Sequence, residues 1–372
     1  MSFRCLFFLF VYVSTIVFSC KSQQVTYPKE PVRGVWLTNV DSDVLYTPEG
    51  IKEAVKLCKE SGINHIFVVT WNKGKTLYPS KIMQENFQIP IEEKLNGRDP
   101  LRELLNAAHA QNIKVYAWFE FGFSAENNGF GKHILEAKPH WAALGNDGKV
   151  VVKNGFKWMN ALDIEVQDFM LSLLKEVIIQ YPDLDGIQGD DRLPALPSEC
   201  GYNENVIKMY QSEKGQNPPH DTKNEDWVNW RAERLNQFQK RLYTELKKLR
   251  PAIQISMSPS IFPWSKEQYL QDWVTWVREG WVDMVCPQVY RYDFTKYQKE
   301  IQLLVNEQIP ADKRPILVPG VLLKVGKYTP TETFLEQMIE ENRKQNIQGE
   351  VFFFYEGLKL HPDFFSKKYK NY

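Results

Sequence analysis

One short apolar run ends in two carboxylates and a guanidinium: Asp185-Gly186-Ile187-Gln188-Gly189-Asp190-Asp191-Arg192. Side chains alternate faces along a strand, so Gln188 and Asp190 share one face, with Ile187 and Asp191 on the other. Cleaving a glycosidic bond takes two carboxyl groups, one to protonate the leaving oxygen and one to attack or to activate water. The best partner for Asp190 is Glu120, which ends a similar run and follows Trp118 by two residues. Desolvation by Trp118 and Phe119 is expected to raise the Glu120 pKa and suit it to general-acid work. Asp190, beside Gln188 and Arg192, is expected to stay ionised as nucleophile or base. Asp191 and Glu356 are reserve candidates. The plainer reading makes Asp190 and Asp191 turn residues and Glu120 a partner for a lysine.

Other strand ends supply polar and aromatic groups: Trp36 and Thr38; Trp71, Asn72 and Lys73; Ser256 and Ser258; Gln288 and Tyr290; Tyr355 and Glu356. From these, Trp36, Trp71, Asn72, Trp118, Gln188, Gln288, Tyr290, Tyr355 and Glu356 are expected to bind a polar, ring-shaped ligand. No glycine-rich phosphate cradle is present; Pro319-Gly320 comes nearest, and Lys324 follows too late. Asp283 precedes its apolar run and is expected to be structural. His65 and His109 read as core residues, and His140-Trp141 as a wall of the cleft. Arg231 either fixes a carboxylate or covers a helix surface.

Short apolar runs alternate with amphipathic ones along the chain. The strands are expected at 32–38, 63–70, 113–120, 184–189, 253–258, 282–289, 315–319 and 350–355. Between them Thr47-Pro48 and Asp99-Pro100 open helices as N-cap and first-turn proline, and Gly62 closes the first. Further helices are expected at 164–180, 227–249, 266–279 and 294–306, and after Thr329-Pro330 to 346. Such alternation implies a parallel sheet, and a count of eight favours a (β/α)8 TIM barrel over an open doubly wound sheet. Long connections at 121–163 and 192–226 follow strands three and four. They lie on the face where barrel enzymes place their chemistry, and connections of this length are usually functional.

With Lys+Arg 46 against Asp+Glu 46, the formal net charge of the 372-residue chain is zero, which removes the electrostatic case for nucleic acid. No CxxC, HExxH, histidine cluster or dinucleotide glycine pattern appears, so no metal or cofactor is expected. Arg4, the apolar stretch 6–18 and then Ser19-Cys20 form a segment too short to span a membrane comfortably. The reading is a lipoprotein signal over 1–20 with Cys20 as lipid anchor, a tether over 21–31, and one barrel domain over 32–372. The alternative is an ordinary secretory signal cleaved nearby. Cys58, Cys200 and Cys286, odd in number and widely spaced, make no disulfide framework, and Cys58 and Cys286, in an expected helix and strand, are expected as small buried hydrophobes.

Taken together, Arg33-Gly34-Val35-Trp36, Leu77-Tyr78-Pro79-Ser80, Ala117-Trp118-Phe119, the 185–191 stretch, Trp230-Arg231, residues 256–259, Asp283 with Pro287-Gln288-Val289-Tyr290, and residues 352–355 resemble the glycosyl-hydrolase-like family 10. This is a bacterial TIM-barrel family of envelope hydrolases, and the resemblance runs from about residue 32 to 358. It implies carbohydrate hydrolysis, with some members similar to peptidoglycan glycan-strand hydrolases, and its strand-four Asp pair falls on Asp190 and Asp191. Trp71-Asn72 stands where the family often carries Arg-Pro. With the Cys20 anchor, the reading is a lipid-anchored glycoside hydrolase acting on an envelope or dietary polysaccharide; the absence of acidic residues just after Cys20 places it at the outer membrane facing the periplasm. The competing readings are a carbohydrate-binding lipoprotein that has lost catalysis, and an envelope scaffold that presents its loops to proteins.

Overall fold

The computed structural model describes residues 30–369; the expected signal, Cys20 and all of the expected tether but its last two residues lie outside them. Eight parallel strands form one sheet: β1 (Arg33–Leu37), β2 (His65–Val69), β3 (Lys114–Phe119), β4 (Gly186–Gly189), β5 (Gln254–Met257), β6 (Met284–Val285), β7 (Gly320–Leu322) and β8 (Glu350–Phe353). Their spatial order is β6-β5-β4-β3-β2-β1-β8-β7. Parallel bridges from Val285 to Leu317 and from Gln288 to Gly320 join β6 to β7, so the sheet closes on itself. The expected TIM barrel is therefore the fold, and the open doubly wound sheet is excluded.

Eight helices follow the strands: α1 (Pro48–Glu60), α2 (Pro100–His109), α3 (Ile164–Gln180), α4 (Glu225–Leu249), α5 (Trp273–Glu279), α6 (Phe294–Leu303), α7 (Glu332–Lys344) and α8 (Pro362–Lys368). Local chemistry sets where they begin. The Thr47 hydroxyl accepts from the Gly50 N–H at the start of α1, and the Asp99 carboxylate accepts from the Arg102 N–H at the start of α2. Ile51, Ala54, Val55 and Cys58 then recur at helical spacing and turn one stripe of α1 into the core. Cys58, Cys200 and Cys286 are all free and buried.

Three boundaries depart from expectation. The expected sixth strand shortens to two residues because Pro287 has no N–H for the ladder. The seventh strand lies at Gly320–Leu322 and not at 315–319; Ala311–Ile316 forms a 3-10 turn around Pro315. The helix expected over 266–279 is two helices, broken where Leu270 takes a left-handed φ of 55°.

Both long connections carry structure of their own. The 121–163 segment folds a three-stranded antiparallel sheet from Ser124–Asn127, Phe156–Trp158 and Val152–Lys153. The 192–226 segment contains the helix Glu204–Lys214. Arg231 is fully buried and holds this second connection in place. Its guanidinium donates to the carbonyls of Ser198, Cys200 and Thr222 and lies 4.4 Å from the Trp227 ring centroid. It fixes backbone, and neither a carboxylate nor a helix surface.

Candidate functional site

β3 and β4 are neighbours, with Trp118 opposite Gln188 and Phe119 opposite Gly189. Glu120 and Asp190, one pleat further on, therefore emerge side by side at the C-terminal end of the barrel. The chain turns sharply there, and the Leu193 N–H donates to the Asp190 carbonyl at 3.0 Å. A side chain at Gly189 would meet the Leu193 carbonyl oxygen at 2.7 Å, so only glycine lets the turn close.

Glu120 is 7% and Asp190 3% exposed. Glu120 Oε2 accepts from Asn72 Nδ2 at 2.8 Å and from Thr38 Oγ1 at 3.0 Å. Asp190 Oδ1 accepts from Gln288 Nε2 at 2.8 Å. Arg192 Nη1 stands 3.0 Å from Asp191 Oδ1, 3.7 Å from Asp190 Oδ2 and 3.5 Å from the Glu120 carbonyl oxygen. Burial pushes the Glu120 carboxyl up, while the Asn72 hydrogen bond and the Arg192 charge pull against it. Burial, aided by the Asp191 charge, holds the Asp190 carboxyl well above the usual carboxylate range.

The upward push on Glu120 is the one expected from its burial; the direction for Asp190 is not. Asp190 was expected to stay ionised, but it is the deeper group, sits against a second carboxylate and has one side-chain amide donor. Glu120 has two donors on one oxygen, which favour its charged form. Tyr290 is half-buried beside the cluster; burial first, then the charges of Asp190 and Asp191, raise its hydroxyl pKa.

The structure corrects three of the proposed ligand contacts. Trp36 and Gln188 face the barrel interior one layer below the carboxylates, fully buried and bonded to each other at 2.7 Å; Gln188 also donates to Ser256 Oγ at 2.9 Å. Their polar atoms are spent on the protein. Trp71 points outward against Phe169 of α3 and donates to the Gly122 carbonyl. Asn72 does reach the site, through Glu120 and through Asn39 Oδ1 at 2.6 Å. Trp118 is buried beside Trp36. Tyr355 and Glu356 border a separate depression of about 530 Å³ with Asn39, Asp41 and Ser42. Glu356 is paired there with Lys359 at 2.8 Å and accepts from Ser42 at 2.8 Å.

Three buried polar atoms near these strand ends have no hydrogen-bond partner among the described residues: Trp118 Nε1, Asn72 Oδ1 and Ser258 Oγ. Buried groups of this kind are rare enough to call for a reason.

The wall expected from His140-Trp141 is not formed. His140 pairs with Glu165 of α3, and Trp141 is buried against Phe87 and Phe169. Asp283 is structural as expected, accepting from Tyr243, Lys247 and the Ile255 N–H. His65 is a buried core residue, and His109 bonds Asp185 at 2.8 Å at the opposite end of the barrel. Sequence reasoning named Arg192 as a neighbour of Asp190 but missed its aromatic setting, because the ring that covers it comes from a hairpin 36 positions earlier.

Comparison with known proteins places the chain in a family and supports the fold. The family model "Glycosyl hydrolase-like 10" matches residues 31–319, a shorter extent than the resemblance implied. "Glycosyl hydrolase DigH" of Escherichia coli K12 is 23% identical over 313 residues, covering 70% of this chain and 66% of the relative. "Glycosyl hydrolase YngK" of Bacillus subtilis 168 is 22% identical over 317 residues, covering 76% and 59%. The chain spans less than two thirds of either relative. Among solved structures, the glycoside hydrolase domain of PgaB (BpsB) from Bordetella bronchiseptica superposes with a TM-score of 0.68 at 13% identity, covering 90% of this chain and 97% of that domain. The catalytic domain of a beta-amylase from Paenibacillus polymyxa gives 0.62 at 10% identity, covering 91% and 98%. At such identities these two likenesses establish the fold alone.

Proposed function

The chain belongs to the glycosyl hydrolase-like 10 family, and from that premise we propose that it is a lipid-anchored glycoside hydrolase that cleaves a polysaccharide of the bacterial envelope. The glycan strands of peptidoglycan are the first substrate to test. One observation carries the reading: two buried carboxyl groups stand on adjacent strand ends of a barrel, each with its pKa raised.

In this mechanism Asp190 holds the proton and delivers it to the leaving glycosidic oxygen. Glu120, whose Oε2 accepts from Asn72 and Thr38, acts in its ionised form and attacks the anomeric carbon or takes the proton of an incoming water. Water supplies the hydroxyl of the new reducing end. Its other proton returns to Asp190 where Glu120 was the nucleophile, and goes to Glu120 where Glu120 was the base, after which exchange with solvent resets both carboxyls. Cys20 anchors the mature chain at the outer membrane facing the periplasm.

Incubation with purified glycan strands, with and without peptide stems, followed by product mass analysis, tests the substrate. Asp190→Asn serves as the matched control. Absence of new reducing ends from every strand preparation leaves the carbohydrate-binding alternative in its place. For the anchor, Cys20→Ser should move the protein from the membrane pellet to the soluble fraction; retention in the pellet argues against lipidation.

A further inference from the structure

Arg192 is held more tightly than a surface arginine has any need to be. Its guanidinium carbon lies 4.6 Å from the Phe156 ring centroid and 5.3 Å from that of Phe121, two rings that meet edge-on at 5.1 Å. Phe156 belongs to the hairpin over Val152–Lys153 and Phe156–Trp158, which is tied across the barrel mouth. Lys153 pairs with Glu199 at 2.9 Å and donates to the Gln268 carbonyl, and Asn154 donates to the Tyr269 hydroxyl. The backbone is pinned as well, since the Phe123 N–H donates to the Arg192 carbonyl at 2.9 Å. Gly122, at φ +46°, would place a Cβ only 2.2 Å from that same carbonyl oxygen, so the loop approaches Arg192 as closely as glycine allows.

This fixed cation meets three acids. Glu120 comes from the end of β3, and Asp190 and Asp191 from the end of β4. Tyr269 and Tyr290 face the cluster from the two following connections, and Lys73 acts on Glu120 from the β2 side. Three carboxylates against one guanidinium leave a charge of minus two if all ionise. Like charges packed in a water-poor site resist that state.

We propose that Arg192, clamped between Phe121 and Phe156, is the positioning residue that sets how readily Glu120 and Asp190 give up their protons. The two rings hold the guanidinium against the carboxylates, so a substitution that removes the Phe156 ring exposes it to water and weakens its hold on them.

The assignment rests on the hydrolase reading, so its test includes a measurement that needs no substrate. Thermal melts of the full chain are followed from pH 4 to pH 8 for the wild type, Arg192→Gln, Arg192→Lys and Phe156→Ala. Removing the cation should make the loss of Tm grow with pH, small at pH 4 and largest at pH 8, because only ionised carboxylates miss it. Arg192→Lys should restore most of that difference, and Phe156→Ala should fall between. In parallel, both limbs of the pH profile of kcat/KM for glycan cleavage should move upward by about one pH unit or more in Arg192→Gln, the effect expected of a cation 4–6 Å away. A Tm loss equal at every pH, with limbs that stay in place, reduces Arg192 to a packing residue and overturns the proposal. A pH-dependent Tm loss in a protein that cleaves no glycan upholds the role of Arg192 while sinking the hydrolase reading.

Discussion

The two ends of this barrel treat buried acids in opposite ways. At the N-terminal end Glu350 is fully buried and accepts from Arg343 through both oxygens, from Asn342 and from Tyr369. Asp283, nearby in kind, takes Tyr243, Lys247 and a backbone N–H. At the C-terminal end Glu120, Asp190 and Asp191 share one arginine and a few neutral donors. Burying a charge is costly unless it is paired and hydrogen-bonded, so the first arrangement serves stability and the second keeps acids whose protons can be exchanged. The barrel architecture concentrates chemistry at the strand C-termini, and here the pairing of the acids divides along the same line.

The strongest way to break that contrast is at Asp190. Asp190→Asn keeps the shape and removes the proton the mechanism needs. Turnover should fall by about a thousandfold or more, in line with losing a positioned acid, while Tm stays level or rises as a crowded charge disappears. Glu120→Gln should behave alike. A variant that keeps full turnover would put the chemistry elsewhere. At the other end the sign reverses: Glu350→Ala should cost about 3 kcal/mol in urea unfolding, because Arg343, Asn342 and Tyr369 lose their shared acceptor. Its KM for glycan should not move; a raised KM would mean that the far end of the barrel reaches the site.

How much of this was legible beforehand follows from what parity can and cannot say. Strand periodicity placed Glu120 and Asp190 side by side, and the register of Trp118 with Gln188 agrees. The caps at Thr47 and Asp99 were readable because a hydroxyl or carboxylate beside a proline is local chemistry. Parity tells which face a residue takes but not its height, and that is why Trp36 and Gln188 were assigned to a ligand when they form the layer beneath. The Asp190 pKa depends on the depth of burial and on how Asp191 is turned, neither of which a pattern of types encodes. Phe156 reaches Arg192 only after a 43-residue connection folds its own sheet.

A pH series sharpens the comparison because the two ends respond in opposite directions. His65, at the N-terminal end of β2, is buried, and burial lowers its pKa to about 3. The unfolded imidazole protonates near 6.5, so the stability it supports is complete above that value and is lost as pH falls toward 3. The cost reaches about 2 kcal/mol at pH 5. Glu120 and Asp190 have folded pKa values above those of the unfolded chain. Their contribution is complete below about pH 4 and declines as pH rises through the raised values. His65→Gln should therefore flatten the acid limb of a Tm curve, and Asp190→Asn the alkaline limb. If each variant flattened the other limb, the assignment of the two ends would be reversed.

Glu356 separates position from pairing, the two halves of the contrast. It stands at the C-terminal end, just beyond β8, and by location alone belongs with the acids proposed to be catalytic. By its partners it belongs with the structural ones, since Lys359 and Ser42 already occupy both its charge and one oxygen. Such a half-exposed pair is worth less than about 1 kcal/mol. Glu356→Gln should then change KM less than about threefold and leave kcat in place. A loss on the scale of Asp190→Asn would show that the barrel end alone marks an acid for chemistry, and that an under-paired carboxylate is no guide to which of them act.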